Sequence, residues 1–364
     1  MKIKNIAIFC AGLDHRTGGY EVNSRMLFLA LQNIEHIKVD LFKSTGSTAT
    51  NEHVQRIPFR KFLRNQSKKR FGNDTTVLEE RAFTLLTLIF YFNKIRKYDF
   101  IYTRNPQTAL VLNKIKRFFR YKLIYTNGVR LDPIHTVNIA DHVHFNNIEF
   151  YNEFIEKQPL KAERGYCSLI PNFQFNHQPT PNKSKTVLKE KYGIKTQNTI
   201  ACIGSISKFP KRTDYIVNEC KKLDDSWTLV LVGNGDPNII AYAREVLKER
   251  FVHLHFHSND QSINEVYQLA DLTVFASLTD AFGNVIIESM KNGIVPLCHT
   301  RQLNQWILGS NEYLTDLTKE GALIKYIEEK GLNWIRNQEH YLVDRYQNNF
   351  TWDALENKYL ALFE

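Results

Sequence analysis

The chain has 364 residues, 43% of them hydrophobic, and a formal net charge of +10. This excludes a disordered chain and predicts about two globular domains. The longest apolar run, Ala82 to Phe92, is about half of the ~20 residues that span a bilayer, so no transmembrane helix is expected. Five scattered cysteines (Cys10, Cys167, Cys202, Cys220 and Cys298) form no C-x-x-C pair, which fits a reducing, cytoplasmic setting better than a disulfide framework.

The apolar run Asn5 to Cys10 is too short for a secretion signal and reads as a first strand. A loop, AGLDHRTGG, follows it, and then a segment with Val22, Met26, Leu29 and Ala30 on one helical face. Further strand candidates are 38–42, 100–103, 122–126 and 142–145, with helical periodicity between several of them. Between these lie two basic stretches, RKFLRNQSKKR (60–70) and LNKIKRFFRYK (112–122). Residues 1–175 hold 27 of the 48 basic and 15 of the 38 acidic residues, leaving 21 and 23 for the remainder. All the excess positive charge is therefore in the first half. Basic residues interleaved with Phe and Leu point to an anionic membrane surface, a phosphorylated lipid or nucleic acid; a solvated helix face accounts for the same pattern.

The stretch IPNFQFNHQPTPNKSK (170–185) is rich in Pro and Asn and is predicted to link two domains. A second strand series follows at 199–203, 227–232, 252–256, 272–276 and 294–298. Continuous apolar strands alternating with helical segments predict parallel sheets covered on both faces, in two doubly wound α/β domains. Ligands of such sheets bind where loops and helix N-termini converge at the strands' carboxyl ends.

Three loops stand out at those ends. Thr17-Gly18-Gly19 lacks a G-x-G-x-x-G fingerprint but can bring backbone close to a phosphate; a plain turn explains it equally well. GSISKFPKRTD (204–214) sets Lys208, Lys211 and Arg212 beside a helix start, where cations oppose the macrodipole unless an anion lies between them. SLTDAFGNVIIES (277–289) places Asp280 in a loop and Glu288 inside the following helix. Ionised carboxylates only accept hydrogen bonds, so this pair suits a ligand bearing hydroxyls, such as a sugar or ribose.

The segment ADLTVFASLTDAFGNVIIESMKNGIVP (270–296) resembles the donor-site segment of family 4 glycosyltransferases, retaining enzymes of the GT-B fold. IGSISKFPKRTDYIV, WTLVLVGNGD, LIPN (169–172), NIAIFC with its Gly-Gly loop, YDFIYTRNPQTALV (98–111) and the terminal FTWDALENKYLALF extend the resemblance over most of the chain. It implies a basic Rossmann-like acceptor domain over 1–175, a nucleotide-sugar domain over 176–345, and a terminal segment 346–364 packing back on the first domain. Glu288 is then expected on the ribose, Asp280 on the transferred sugar and Lys211 on the departing diphosphate. Phe282, Gly283, Asn284, Gly18, Gly19, Gly204, Ser205, Gly233, Lys208 and Arg212 complete the expected donor site, and Arg104 and Asn105 lie on the acceptor side. The expected partners are a UDP- or GDP-sugar, a glycan or lipid-linked acceptor and an anionic membrane leaflet, with no metal, no other cofactor and no nucleic acid. The chain departs from the family pattern in having Asp280 for Glu, Ser205 for Arg, and Tyr102-Thr103-Arg104 where a His-containing loop would fall.

Other readings stay open. A nucleotide-sugar or polyanion binder with weakened catalysis fits Ser205 and the missing His. A dinucleotide oxidoreductase rests on Gly233 and Gly235 alone. His253, His255 and His257 alternate and could bind zinc, although half-exposed strand structure is simpler, as it is for His142 and His144. Asp141 and Glu149 have a spacing suited to hydrolytic acid–base work, but such positions more often cap helices.

Overall fold

The computed structural model describes residues 3–16, 18–72, 75–128, 138–175, 183–255 and 263–364. The chain divides into two compact units: residues 1–175 with 355–364, and residues 176–354. Part of the expected linker, residues 176–182, lies outside the described residues.

The first unit is built on a seven-stranded sheet in the order β3-β2-β1-β4-β5-β6-β7. Its strands are β1 (Lys4–Cys10), β2 (Ile37–Lys43), β3 (Glu52–Val54), β4 (Phe100–Thr103), β5 (Lys122–Asn127), β6 (His142–Phe145) and β7 (Cys167–Leu169). Every pairing is parallel. Because helices cover a parallel sheet on both faces, its central strands are apolar throughout: Ile6 to Phe9 have no exposed surface. The last ten residues belong to this unit. Tyr359 in the helix Trp352–Ala361 donates a 2.9 Å hydrogen bond to the Pro171 carbonyl, and the Phe363 ring packs edge-on against Phe100.

The second unit repeats the plan with six parallel strands in the order β10-β9-β8-β11-β12-β13. They are β8 (Asn198–Ile203), β9 (Trp227–Val232), β10 (Phe251–Leu254), β11 (Leu272–Phe275), β12 (Val295–His299) and β13 (Leu314–Thr315). Both sheets thus wind outward from a central strand in two directions, and the order reverses between β1 and β4 in one unit and between β8 and β11 in the other. Crevices outside the strand ends at such reversals are where doubly wound sheets hold ligands. The three short edge strands β3, β7 and β13, of two or three residues each, were not among the predicted strands.

Two glycines explain the GNG turn after β9. A Cβ on Gly233 would lie 2.0 Å from the Gly204 carbonyl oxygen, and one on Gly235 would lie 2.0 Å from that of Ile206. The two loops run side by side, with Gly204 N–H donating to Val232 and Ile206 N–H donating to Asn234. Close backbone approach, together with φ of 134° at Gly233, accounts for this glycine without any dinucleotide.

Candidate active site

The reversal between β8 and β11 forms a small recess lined by Ile203, Ser205, Lys211, Phe275, Ala276 and Ser277. The loop after β8 is pinned by reciprocal hydrogen bonds between Ser207 and Thr213, and Leu278 N–H reaches the Pro210 carbonyl at 3.3 Å. This fixes Lys211 opposite the loop after β11. Its ammonium donates to Asp280 Oδ1 at 2.7 Å and lies 4.9 Å from the centre of the Phe275 ring. Both side chains are mostly buried, at 23% and 16% exposure. A half-dry ion pair with a cation–π contact is a positioned charge, ready to meet an anion.

The helix Asn284–Lys291 begins at Gly283, whose φ of 96° lies in the left-handed region that glycine enters at no steric cost. Phe282 is 2% exposed and meets Trp306 and Phe350 edge-on, with ring centroids 6.2 and 6.3 Å apart. Its side chain anchors the loop in the core, and it is the backbone of this turn that is expected to face a ligand. One turn into the helix, Glu288 accepts a 2.8 Å hydrogen bond from the hydroxyl of Tyr267, a residue with no exposed surface. Burial and the neighbouring carboxylate push the Tyr267 phenol well above its ordinary range, so it stays a donor to Glu288. Tyr267 carried no signal in the sequence, being one apolar position in the short helix Ile263–Leu269.

The other predicted cations diverge. Arg212, at φ 53° before the helix Thr213–Lys222, donates to the Leu317 carbonyl at 2.5 Å and stacks on Tyr215 at 4.5 Å. Lys208 is exposed and forms no ion pair among the described residues, and Ser205, also exposed, carries no charge. Of the three basic residues whose conflict with the helix macrodipole an anion would relieve, Lys211 alone meets a carboxylate at the strand reversal among the described residues.

In the first unit, Gly18 precedes the helix Gly19–Gln32 with ordinary extended backbone (φ −99°); Thr17 lies outside the described residues. The need for glycine is steric. A Cβ at Gly12 would lie 2.1 Å, and one at Gly18 2.6 Å, from the carboxylate of Glu21, which folds back over the loop. Glu21 occupies the surroundings expected for a phosphate and was missed in the sequence.

Arg104 and Asn105, expected to meet an acceptor, are both 2% exposed. Arg104 donates to Asn172 Oδ1 at 3.2 Å, while Asn105 accepts from Ala11 N–H and donates to Glu80, both at 3.1 Å. Their place is internal: they tie the ends of β1 and β4 to the segment leaving the unit.

The histidine pattern also resolves. His253 donates to the Gly233 carbonyl and His255 to Asn234 Oδ1, each at 2.9 Å, so both brace the turn after β9; His257 lies outside the described residues. Among the described residues no group of three His, Cys, Asp or Glu side chains is placed to hold a metal ion. His144 is buried between Thr126 and the Ile170 carbonyl; burial first, and Arg104 second, lower it to about 3. Asp141 accepts from Leu123 N–H at 2.8 Å, and Glu149 sits in a helix first turn capped by Asn147. Both are structural positions, as helix and strand ends ordinarily require.

Residues 184–343 match the family model described as Glycosyl transferases group 1, a span that contains Lys211, Asp280, Tyr267 and Glu288. That stretch, less than half of the chain, is similar to the group 1 glycosyl transferases, and the two sheets are those of a GT-B fold. Among solved structures, the chain is similar to sucrose-phosphate synthase from Thermosynechococcus elongatus (TM-score 0.77, 18% identity, covering 99% of this chain and 98% of that one). It is also similar to Anabaena HepE in complex with UDP and glucose (TM-score 0.76, 15% identity, 99% of each chain). A third is the lipopolysaccharide outer core galactosyltransferase WaaB (TM-score 0.68, 13% identity, 99% of each chain). At these identities the likeness shows the fold alone. No curated protein sequence matches the chain.

Proposed function

We propose that the protein is a family 4, retaining glycosyltransferase that moves a sugar from a UDP- or GDP-sugar to a hydroxyl of a glycan or lipid-linked acceptor, without a metal. The observation that carries this reading is the Lys211–Asp280 pair, 2.7 Å apart at the strand reversal of the second sheet. Glu288, oriented by Tyr267, takes the two ribose hydroxyls as an acceptor of hydrogen bonds. Lys211 shifts from Asp280 to the diphosphate, and Asp280 turns to hydroxyls of the transferred sugar. The acceptor hydroxyl attacks the anomeric carbon as the bond to the diphosphate oxygen breaks; that oxygen keeps the electron pair, and the hydroxyl proton passes to the diphosphate. Charge growing on the leaving group is what a positioned cation in a dry recess stabilises. Backbone of Gly283, Asn284, Gly204 and Ser205 borders the same donor. A UDP-sugar is favoured because UDP-glucose and UDP are named with the HepE structures.

The first unit is proposed to hold the acceptor at an anionic cytoplasmic membrane face. Support comes from the exposed apolar side chains Leu85, Ile89, Phe90, Phe92 and Phe118, with Arg96 and Arg117 lying over the last two rings. No helix among the described residues is long and apolar enough to cross a membrane. Incubation with a panel of UDP- and GDP-sugars and glycan acceptors should release nucleoside diphosphate together with a product of unchanged anomeric configuration. Inverted product would overturn the retaining mechanism. For the membrane, co-sedimentation with anionic but not neutral vesicles is expected, and equal, negligible binding to both would refute it.

A further inference from the structure

A second charge constellation lies in the first unit, on the loop that follows β1 and on the two helices that follow β3, and the donor chemistry leaves it unused. Its centre is Glu79 in the helix Val77–Phe90, a carboxylate with no exposed surface. His15 Nε2 donates to it at 2.9 Å, Arg16 contacts its other oxygen, and Arg60 Nε and Arg64 Nε stand 3.3 and 3.9 Å away. Burial alone would raise this carboxyl, but the hydrogen bond from His15 and the charge of Arg16 prevail and hold it below its usual range. One carboxylate is thus surrounded by three permanently charged guanidinium groups.

The neighbouring network shows what balance looks like. Lys43 and Arg25 are met there by Asp14 and Glu52, two cations against two carboxylates. Around Glu79 two positive charges are left over among the described residues, even with His15 neutral. Arg60 is lowered from its ordinary range, by burial first, and Arg16 and Arg64 oppose its charge while Glu79 supports it. Arg60 is also held in place, with Nη2 donating to the Ser44 carbonyl and hydroxyl at 3.0 and 2.8 Å. Arg16 Nε is buried with no hydrogen-bond partner, and Arg60 Nε has only the shared Glu79 carboxylate, 3.3 Å away. The three side chains keep part of their surface exposed, 21% for Arg16 and Arg60 and 46% for Arg64, so an arriving anion can reach the guanidinium charge that Glu79 alone does not balance.

We infer that Arg16, Arg60 and Arg64 bind an anionic group, a phosphate monoester or a carboxylate, carried by the ligand of the first unit. That the ligand is the glycosyl acceptor rests on the proposed function; that the cluster binds an anion does not. The acceptor class is then a phosphorylated or uronic-acid-containing sugar. Arg60 and Arg64 are four apart on the helix Arg60–Phe71, so both can serve one face.

Isothermal titration of the full chain with glucose 6-phosphate, glucuronate, inorganic phosphate and glucose, in the absence of any donor, tests this directly. Glucose 6-phosphate or glucuronate should bind and glucose should not; which of the two binds more tightly identifies the anion. Arg60→Gln and, at the more exposed position, Arg64→Gln should each weaken that binding by roughly 10- to 100-fold, as expected for loss of a charge-assisted hydrogen bond. No binding by either anionic sugar, or binding that both variants leave unchanged, overturns the inference. Titrating UDP and GDP into the same variants separates this from the donor site: their binding should be unaltered. Absence of UDP and GDP binding in the unsubstituted chain would count against the donor reading while leaving the anion result intact.

Discussion

The two units share one winding order, yet they carry their chemistry differently. In the second unit the candidate site is made of a few residues whose backbone demands are severe: Gly283 at φ 96°, Gly233 against the Gly204 carbonyl, and Lys211 fixed on Asp280. In the first unit it is made of long side chains in ion networks, where Arg25, Lys43, Asp14 and Glu52 balance and the Glu79 cluster does not. A site that recognises an invariant nucleotide portion can be built from tight turns. A site that recognises a changeable acceptor is more readily built from side chains on loops, which alter without disturbing the sheet.

That contrast can be broken, beginning with the largest effect. Phe282→Ala should destabilise the second unit by about 3–5 kcal/mol, measured by denaturant unfolding, because a buried ring is removed from Trp306 and Phe350. A loss under about 1 kcal/mol would mean that this loop is not anchored by the core. Lys211→Met should lower stability, because it leaves the mostly buried Asp280 carboxylate without its cation, and should reduce turnover of the folded protein by about 10²- to 10³-fold, the scale of losing one preorganised charge partner. Near-normal turnover would remove Lys211 from the chemistry.

The first unit should respond to acid in a way that the second does not explain. His144 is neutral in the fold and lowered to about 3, against about 6.5 when unfolded. Its stabilising contribution is complete above pH 6.5 and is lost as pH falls toward 3, because the unfolded chain binds the proton first. By pH 5 the loss is about 2 kcal/mol, from about 1.4 kcal/mol per pH unit. Thermal unfolding from pH 7 to 5 should therefore show a steeper decline in the native chain than in His144→Gln. Parallel declines would contradict the buried, neutral assignment.

The sequence revealed the second unit well because its signals are local. The apolar runs became β8, β9, β11 and β12 nearly to the residue, and the acids around Phe282 fell at a strand end and inside a helix. The first unit was legible as strands but not as a site. Arg104 and Asn105 looked like loop residues available to a ligand, yet the fold encloses them against Asn172, Ala11 and Glu80. Glu79 and Arg16, 63 positions apart, meet only after folding, and no spacing announces such a pair. Tyr267 and Glu288 are only 21 apart but lie on different helices, which hid their contact equally. Edge strands of two or three residues were missed because so short a run has no periodicity to read.

The central claim is that Glu288, held by Tyr267, binds the ribose of a nucleotide-sugar donor. The most direct measurement is thermal shift with a panel of nucleotide sugars and free nucleotides, for the native chain and for Glu288→Ala, since a ligand that binds only the native state raises the melting temperature by mass action. A clear shift with one nucleotide series in the native chain, abolished in a Glu288→Ala variant that still unfolds cooperatively from its own, somewhat lower, unliganded melting temperature, is the predicted result. A strong donor shift that survives Glu288→Ala intact would contradict the assignment.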